Sequence, residues 1–461
     1  TGSLSTIASE KVGQDQGIRK SGSGPRSTEP LEIEVVPQMS GPREGMIHSG
    51  SDLGLGKRLV LFISGILGIL LGVVLWVIGR RAQCVTPTLV AYVVSLALSV
   101  TFYHVFGLAD DAAAYLLAAE EFSRNFSASD LNPSSLRLGK VGVSALAGSI
   151  MTLTDLPAIP VMLITSAFFH GVLPPIAKWA AQALGFTGAL RISPWVAALL
   201  PQAIGWGILL RRESLAYTLL LVALLGIALV GRAHFQSGLF VVLSAYFGLL
   251  VVRSQLTVSV VFGLGVAILM AIRNNRGRTI ARTALAWVLL ILPLVGMGIS
   301  LGLIFPNLTG VYSDLQTRDA IITQNSSNEQ GTSVSSDRLL LQNSIQALFG
   351  PLPLEWGGWR FVILGLDGLS LLAIFTAGFI LFFRHQQFRR GIILTGALCA
   401  PILVGMSVYL ANYGLNARIR SHVIVVCVPL ISLVLSRLRL LLAHKQRPPV
   451  NLMPARLRSG G

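Results

Sequence analysis

The sequence is short of charged residues. Of its 461 residues, 12% are charged and 53% are hydrophobic, whereas a soluble domain carries about 25% charged residues. A soluble globular protein is excluded, because a chain of this length needs a polar surface on each of its domains. The composition indicates an all-α, polytopic membrane protein, since helices satisfy their own backbone hydrogen bonds in lipid.

The marks of several other classes are also missing. The sequence contains neither a Walker A loop nor a dinucleotide-binding glycine fingerprint, so it does not indicate a nucleotide-driven machine. Its net charge is +16, but the basic residues separate apolar runs and form no stripe, so no nucleic-acid partner is expected. The three cysteines lie in or beside apolar runs and fit neither a disulfide framework nor a zinc site.

Twelve apolar stretches follow one another along the chain. Because a lipid-crossing helix needs about 20 residues, the runs at 141–153 and 238–251 are short enough to be tilted, broken or re-entrant. If one of the runs at 238–251 and 256–272 does not span, the sequence predicts about 11 transmembrane helices, within a range of about 10 to 13. Amphipathic or re-entrant segments are expected in the outer loops.

Polar segments divide the chain into three parts. Residues 1–56 are rich in Ser, Gly and Pro and predict a disordered polar tail. Residues 57–443 form the polytopic membrane domain, with a first outer loop at 109–140 and a large outer loop at 305–360. Residues 444–461 form a basic cytoplasmic tail.

The orientation of the membrane domain follows from its basic loops. Short loops rich in Lys and Arg face the cytoplasm, and this rule assigns five clusters to that side: Arg80-Arg81, Arg211-Arg212, 273–282, 384–390 and 437–447. The short loop 412–421 then lies on the outer face together with 109–140 and 305–360.

The first outer loop begins with an acidic pair. Asp110 and Asp111 directly follow an apolar run, and Tyr115, Leu116 and Phe122 then repeat at the spacing of an amphipathic helix on the membrane surface. Adjacent aspartates before an Ala-rich segment suit a helix cap. They equally suit catalysis, in which one carboxylate accepts a proton while the other orients the attacking hydroxyl or holds a divalent cation.

Charged residues also interrupt or border the apolar runs. Arg253 lies inside the run FVVLSAYFGLLVVRSQLTVSVVFGL, where an arginine needs a partner, a water-filled cavity or a snorkelling position. Arg212-Glu213 is interpreted as an ordinary cytoplasmic turn rather than a catalytic pair. At the end of the large outer loop, Trp356 suits the membrane interface.

The segment Asn412-Tyr-Gly-Leu-Asn-Ala-Arg418-Ile-Arg420-Ser-His422 is the most informative in the chain. It places two arginines and a histidine on the outer face, against the usual charge rule. Arginine forks bind phosphate, so Arg418 and Arg420 suit the pyrophosphate of a lipid-linked donor, and His422 suits proton donation. The alternatives are contacts between the arginines and anionic lipid headgroups, and a structural role for His422.

The order of these features resembles GT-C superfamily glycosyltransferases and O-antigen polymerase-like proteins of the bacterial envelope. Asp110, Asp111 and Tyr115 resemble the first-loop carboxylate site of GT-C enzymes, and PQAIGWGILLRRE resembles their proline followed by a basic-acidic pair. FGPLPLEW and NYGLNARIR resemble the Gly-Pro-aromatic turn and the late Asn-Gly-Arg-x-Arg loop.

The resemblance implies an integral enzyme of the bacterial cytoplasmic (inner) membrane. The implied reaction transfers sugar from a polyprenyl-phosphate or diphosphate carrier to a glycan or lipid hydroxyl, with Asp110 or Asp111 as catalytic base. The implied substrate-binding residues are Tyr115, Trp356, Asn412, Arg418 and Arg420, and the charges of Arg253 and His422 in or beside apolar runs add these two as candidates. Other polysaccharide-assembly membrane proteins are implied partners besides the lipid bilayer.

Two other classes remain open from the sequence. A transporter or flippase of a lipid-linked sugar or another solute is expected to show internal repeats and ionisable residues near the middle of the membrane. No convincing repeat is present, and most ionisable residues lie at the ends of apolar runs, which favours an enzyme. A non-catalytic scaffold of a polysaccharide machine is the third reading.

Overall fold

The computed structural model describes residues 55–107, 110–124, 141–207, 212–274, 348–350, 359–408 and 413–445. Within these ranges the chain is helical and contains no strand, as the composition predicts. Trp356 and Asn412, two of the predicted binding residues, lie outside the described ranges, as do both predicted tails except for residues 55–56 and 444–445.

Fourteen α-helices make up the described part of the chain. Their bounds are α1 Leu55–Arg81, α2 Val85–Phe106, α3 Asp110–Arg124, α4 Val141–Thr154, α5 Ala158–Leu184, α6 Ser193–Leu199, α7 Pro201–Gly207, α8 Glu213–Gly231, α9 Phe235–Arg253, α10 Thr257–Asn274, α11 Trp359–Arg384, α12 Arg389–Val408, α13 Tyr413–Val426 and α14 Val428–Lys445. The apolar residues of most helices form one contiguous core.

Seven helical segments in the described ranges are long and apolar enough to cross a membrane, or eight if the bent pair α13–α14 forms one span. The chain is therefore an integral, multi-pass membrane protein. The predicted total of about 11 is not confirmed. The described part of the apolar stretch at 193–210 contributes no span, because residues 193–207 fold as the seven-residue helices α6 and α7, and the stretch at 284–304 lies outside the described ranges.

One candidate span, Phe235–Arg273, contains α9, a short 3₁₀ turn and α10. These two helices run in opposite directions along α8. In α9, Gly238 packs against Val230 and Gly248 against Leu219, which is an antiparallel register. In α10, Gly263 packs against Ile227, and Ala267 lies near Gly231, which is a parallel register. The two helices therefore form an antiparallel hairpin, which counts as one of the seven candidate spans, and the expectation that one of the two runs does not span stays a prediction.

Arginines gather at one end of the helix bundle, which we call the basic end. It includes the ends of helices at Arg81, Arg232, Arg273 and Arg384, and Arg437 of α14. The chain segments meet there, because Lys178 donates to the Gln83 carbonyl at 3.1 Å and the Phe186 and Phe388 rings lie 6.0 Å apart. The positive-inside rule predicts that the basic end faces the cytoplasm.

Arg212 lies at the opposite end of the bundle. It precedes the first residue of α8, whereas Arg232 follows the last, so the 19 residues of α8 separate them by about 28 Å at 1.5 Å per residue. The prediction that Arg212 shares one side of the membrane with the other basic clusters is therefore wrong, while Arg211 lies outside the described ranges. The positive-inside rule counts charges and does not consider their contacts. It therefore misplaces an arginine such as Arg212, which donates a hydrogen bond to the Val252 carbonyl.

The first outer loop contains the predicted helix, α3, but its apolar face packs against α4. Tyr115 and Leu116 are buried. Ser144 Oγ donates to the Tyr115 carbonyl at 3.1 Å, and the hydroxyl oxygens of Ser123 and Thr152 also lie 3.1 Å apart. Both contacts join residues that are 29 positions apart in the chain, so α3 and α4 run parallel. The apolar face of α3 therefore contacts protein instead of lipid.

Candidate functional site

A fully buried carboxylate organises the end of the bundle opposite the basic end. Glu213, the first residue of α8, accepts a hydrogen bond from Arg418 Nε at 2.5 Å, and Arg253 Nη1 lies 3.4 Å from the same carboxylate oxygen. Both arginines are buried as well. We call Glu213, Arg253, Arg418 and His422 the charge cluster. In this cluster two guanidinium groups share one carboxylate.

His422 fixes the position of Arg253. Arg253 Nη1 lies 2.7 Å from His422 Nε2, and His422 Nδ1 lies 2.8 Å from the Arg418 carbonyl. Arginine has no acceptor and a carbonyl has no proton, so Nε2 accepts and Nδ1 donates. His422 is therefore a neutral imidazole with both nitrogens engaged, which makes it a positioning residue for Arg253. The hypothesis that it donates a proton to substrate does not fit these contacts.

Polar side chains hold the start of α13 against α8. Ser421 Oγ donates to the Arg418 carbonyl at 2.5 Å, so the Tyr217 hydroxyl, at 2.6 Å, donates to Ser421 Oγ. The Tyr217 and His422 rings are also in edge contact at 5.0 Å. Arg418, Ser421 and His422 share one helix face, because residues three and four apart are neighbours on a helix. This spacing brings the predicted arginine and histidine to Glu213 together.

Arg420 lies on another face of α13 and makes different contacts. Its Nη1 donates to the Gly350 carbonyl at 2.6 Å. Gly368 of α11 permits this approach, since a β-carbon there would lie 2.8 Å from Arg420 Nη1. The adjacent Asp367 interacts electrostatically with Arg420 and accepts a hydrogen bond from Gln202 Nε2 at 2.8 Å. Arg418 and Arg420 therefore do not bind one group together. Arg418 contacts Glu213, whereas Arg420 contacts the Gly350 carbonyl and lies near Asp367.

The charge cluster is recessed from the outer ends of its neighbouring helices. Ser214 of α8 lies level with Ser166 of α5, because their hydroxyl oxygens are 2.8 Å apart. Helix α5 begins at Ala158, eight residues earlier, which corresponds to about 12 Å of helix. The apolar first turns of α5 thus extend beyond the level of the cluster, and its ionic groups lie between hydrophobic segments.

The predicted acidic pair belongs to an element that begins near the charge cluster. Gly142, at the start of α4, packs directly against Val251, two residues before Arg253. Helix α3 runs parallel to α4 and begins with Asp110 and Asp111, whose side chains lie outside the described part of the structure. The start of α3 and the end of α9 are therefore at the same end of the bundle.

An apolar cavity adjoins the charge cluster between α4, α5 and α8. Arg212 and Ser214, which flank Glu213 in the sequence, are part of its lining, together with Val143, Leu146, Ala147, Met162, Thr165, Ser166, Phe169 and Leu215. The cavity is mostly hydrophobic, with polar groups beside Glu213. Its volume is about 20 Å³, which is room for about one water molecule and not for a ligand.

The structure brings together three of the predicted site residues, Arg253, Arg418 and His422. Tyr115 is buried against α4, and its carbonyl accepts from Ser144. The role of Asp110 and Asp111 stays a prediction. No group of three or more His, Cys, Asp or Glu side chains suits a metal ion among the described residues, so a divalent cation stays a prediction that depends on that acidic pair.

Two carboxylates of this region were missed as site residues. Glu213 was interpreted as part of an ordinary turn, although an acidic residue at the start of an apolar run beside two arginines was visible in the sequence. Asp367 interrupts the apolar stretch at 361–383, and an intramembrane carboxylate by default indicates a functional or paired group. The unusual positions of Glu213 and Asp367 could be seen in the sequence, but the residues that they contact could not.

No protein-family model, no curated protein and no solved structure matches this chain.

Proposed function

We propose that this chain is an integral-membrane glycosyltransferase or repeat-unit polymerase. It transfers sugar from a polyprenyl-phosphate or diphosphate carrier to a hydroxyl acceptor during assembly of an envelope polysaccharide or glycoconjugate. The bacterial cytoplasmic (inner) membrane is the proposed location. The observation that supports this proposal best is the convergence of Arg253 and Arg418 on Glu213 at the end opposite the basic end.

Guanidinium groups at this position suit a lipid-linked phosphate. Arginine forks bind phosphate oxygens in pairs and remain charged when they are desolvated. Arg253 and Arg418 come from separate helices, and Glu213 and His422 hold their donor atoms in place. A site whose cations are already oriented loses little entropy when it binds an anion.

The depth of the charge cluster, and not the small apolar cavity next to it, supports a lipid carrier as the donor. The cavity lies beside Glu213 and has room for about one water molecule, so an isoprenoid chain would run along the outer, lipid-facing side of the helices and not inside it. The recessed level of the cluster suits such a carrier, because its phosphate is attached to a chain that stays in the membrane.

The proposed reaction is a substitution at the anomeric carbon of the donor sugar. The acceptor hydroxyl oxygen forms the new bond to that carbon as the bond to the phosphate oxygen breaks, and the phosphate leaves on its carrier with the bonding electron pair. Asp110 or Asp111 takes the proton of the hydroxyl. Arg253 and Arg418 stabilise the negative charge that develops on the leaving phosphate.

The test is sugar transfer in proteoliposomes that contain the purified protein and radiolabelled polyprenyl-diphosphate-linked saccharides extracted from the producing cells. We expect a new glycosidic product from the wild type. Asp110→Asn or Asp111→Asn should abolish transfer, and Arg418→Ala or Arg420→Ala should weaken donor use. Arg124→Gln is the matched control, because Arg124 is an exposed surface residue of α3.

Full transfer by all four site variants would contradict the proposal. Movement of the labelled saccharide across the vesicle membrane without a new glycosidic bond would favour a transporter or flippase instead. Comparable folded yields of the variants, checked by size-exclusion chromatography, separate a loss of chemistry from a loss of protein.

A further inference from the structure

Two arginines meet at the basic end without a carboxylate between them in the described part of the chain. Arg232 follows the last residue of α8, and Arg390 is the second residue of α12. The guanidinium group of Arg390 lies against α8, since a β-carbon at Gly231 would be 3.8 Å from its Nη2. Arg232 and Arg390 therefore repel each other electrostatically.

The backbone of the α8–α9 turn holds Arg232 in place. The amide of Arg232 donates to the Ala228 and Leu229 carbonyls, and the amides of Ala233 and His234 close the turn onto Val230 and Leu229. Ala233 takes a left-handed conformation, with φ +68°, which a non-glycine residue adopts only at a cost. The fold thus maintains a strained turn that keeps the charge of Arg232 beside that of Arg390.

One buried donor atom of Arg390, its Nε, has no hydrogen-bond acceptor among the described residues. The neighbouring arginines differ in this respect, because Arg389 Nε donates to the Phe382 carbonyl at 2.9 Å and Arg437 stacks on the Phe388 ring at 5.2 Å. Of these residues, Arg390 and Arg232 are the pair whose charge an external anion would satisfy.

The surroundings of this pair select the kind of anion. One turn after Arg390, Ile393 is exposed on the surface of α12 while Leu394 packs against Gly231 in the core. A phosphate at Arg390 can therefore continue into an acyl chain along Ile393. The cytoplasmic leaflet supplies such molecules, since it carries anionic lipids that basic residues attract.

We propose that Arg232 and Arg390 form a binding site for the phosphate group of an anionic phospholipid at the cytoplasmic boundary of the membrane. The lipid phosphate lies between the two guanidinium groups, removes their repulsion and ties the α8–α9 turn to the start of α12. This site is separate from the charge cluster, which lies at the opposite end of α8.

The experiment measures lipid binding by native mass spectrometry of the delipidated protein titrated with phosphatidylglycerol or phosphatidylcholine. We expect the wild type to prefer phosphatidylglycerol. Arg232→Gln or Arg390→Gln should weaken its binding by about fivefold, and the double variant by about 30-fold. Arg81→Gln is the matched control, since it removes an exposed arginine of the same end, and it should change binding by less than about twofold.

Three outcomes would overturn the proposal: equal binding of the two lipids by the wild type, wild-type binding by the double variant, or an equal loss in Arg81→Gln. A soluble source of phosphate is tested with glycerol 3-phosphate. If it displaces phosphatidylglycerol at equal concentration, the ligand is a free phosphate compound and the lipid assignment fails. Because Arg232 is exposed, Arg232→Gln gives a result even if substitution of the half-buried Arg390 prevents folding.

Discussion

At the scale of single residues, Glu213 has the largest structural role in the site. Its carboxylate is fully buried and is the shared partner of Arg253 and Arg418. Removal of one member of a buried ionic group leaves the others uncompensated, which costs about 3–5 kcal/mol. We therefore expect Glu213→Gln, which preserves the shape of the side chain, to lower the free energy of unfolding by about that amount.

Denaturant unfolding of the protein in detergent measures this loss. Glu120→Gln is the matched control, because Glu120 pairs with Arg124 at 3.5 Å on the surface of α3, with side-chain exposures of 42% and 78%. Exposed pairs contribute less than about 1 kcal/mol. If Glu213→Gln were as stable as Glu120→Gln, the charge cluster would not be a structural element of the fold.

The sequence predicted the cations of the charge cluster better than its anion. Arg253, Arg418 and His422 stood out because charge inside or beside an apolar run is unusual. Glu213 did not stand out, since a basic-acidic pair between apolar runs is also what an ordinary turn contains. The contact between Glu213 and Arg418 joins residues 205 positions apart in the chain, and no local pattern records such a distance.

At the scale of helices, α9 and α10 reverse direction at the 3₁₀ turn Ser254–Leu256. His234, before α9, and Arg273, near the end of α10, therefore lie at the same end of the bundle. If only one of these helices spanned, the two residues would lie on opposite sides of the membrane. Single cysteines at His234 and Arg273, both exposed positions, should react with a membrane-impermeant maleimide from the same side.

Pro157→Cys provides the matched control, because Pro157 is an exposed residue before α5 and lies at the opposite end. It should react from the other side of the membrane. The native cysteines are buried, and burial raises the pKa of the Cys84 thiol, so their background reaction should be slow at neutral pH. Labelling of His234→Cys and Arg273→Cys from opposite sides would contradict the α9–α10 hairpin.

Hydropathy predicted the helical, membrane-spanning character of the chain, but not how each run is used. The stretch at 193–210 is apolar throughout, yet the chain breaks at Leu200 before Pro201, because proline has no amide hydrogen to continue the helix. The apolar face of α3 has the pattern of a surface helix, yet α4 covers it. The spacing of apolar residues identifies the apolar face of a helix, but it does not show whether lipid or another helix covers that face.

At the scale of the whole molecule, the two ends of the bundle differ in charge and in contacts. Four of the arginines at the basic end, Arg81, Arg232, Arg273 and Arg384, lie at or near the ends of helices, and Arg437 lies in the middle of α14. At the other end, arginines from α9 and α13 are buried around Glu213. The basic loops of the sequence predicted the first end. They misplaced Arg212, because a rule that counts positive charge treats paired and exposed arginines alike.

The central claim of this account is that the charge cluster binds the phosphate of a lipid carrier, and direct binding tests it without knowledge of the sugar. The measurement compares polyprenyl diphosphate with the polyprenol of the same length, each titrated into the protein in phosphatidylcholine nanodiscs. The wild type should bind the diphosphate at least about tenfold more tightly than the alcohol, and Arg418→Gln should lose most of that difference. Equal binding of the two lipids by the wild type, or an unchanged preference in a folded Arg418→Gln variant, would contradict the claim.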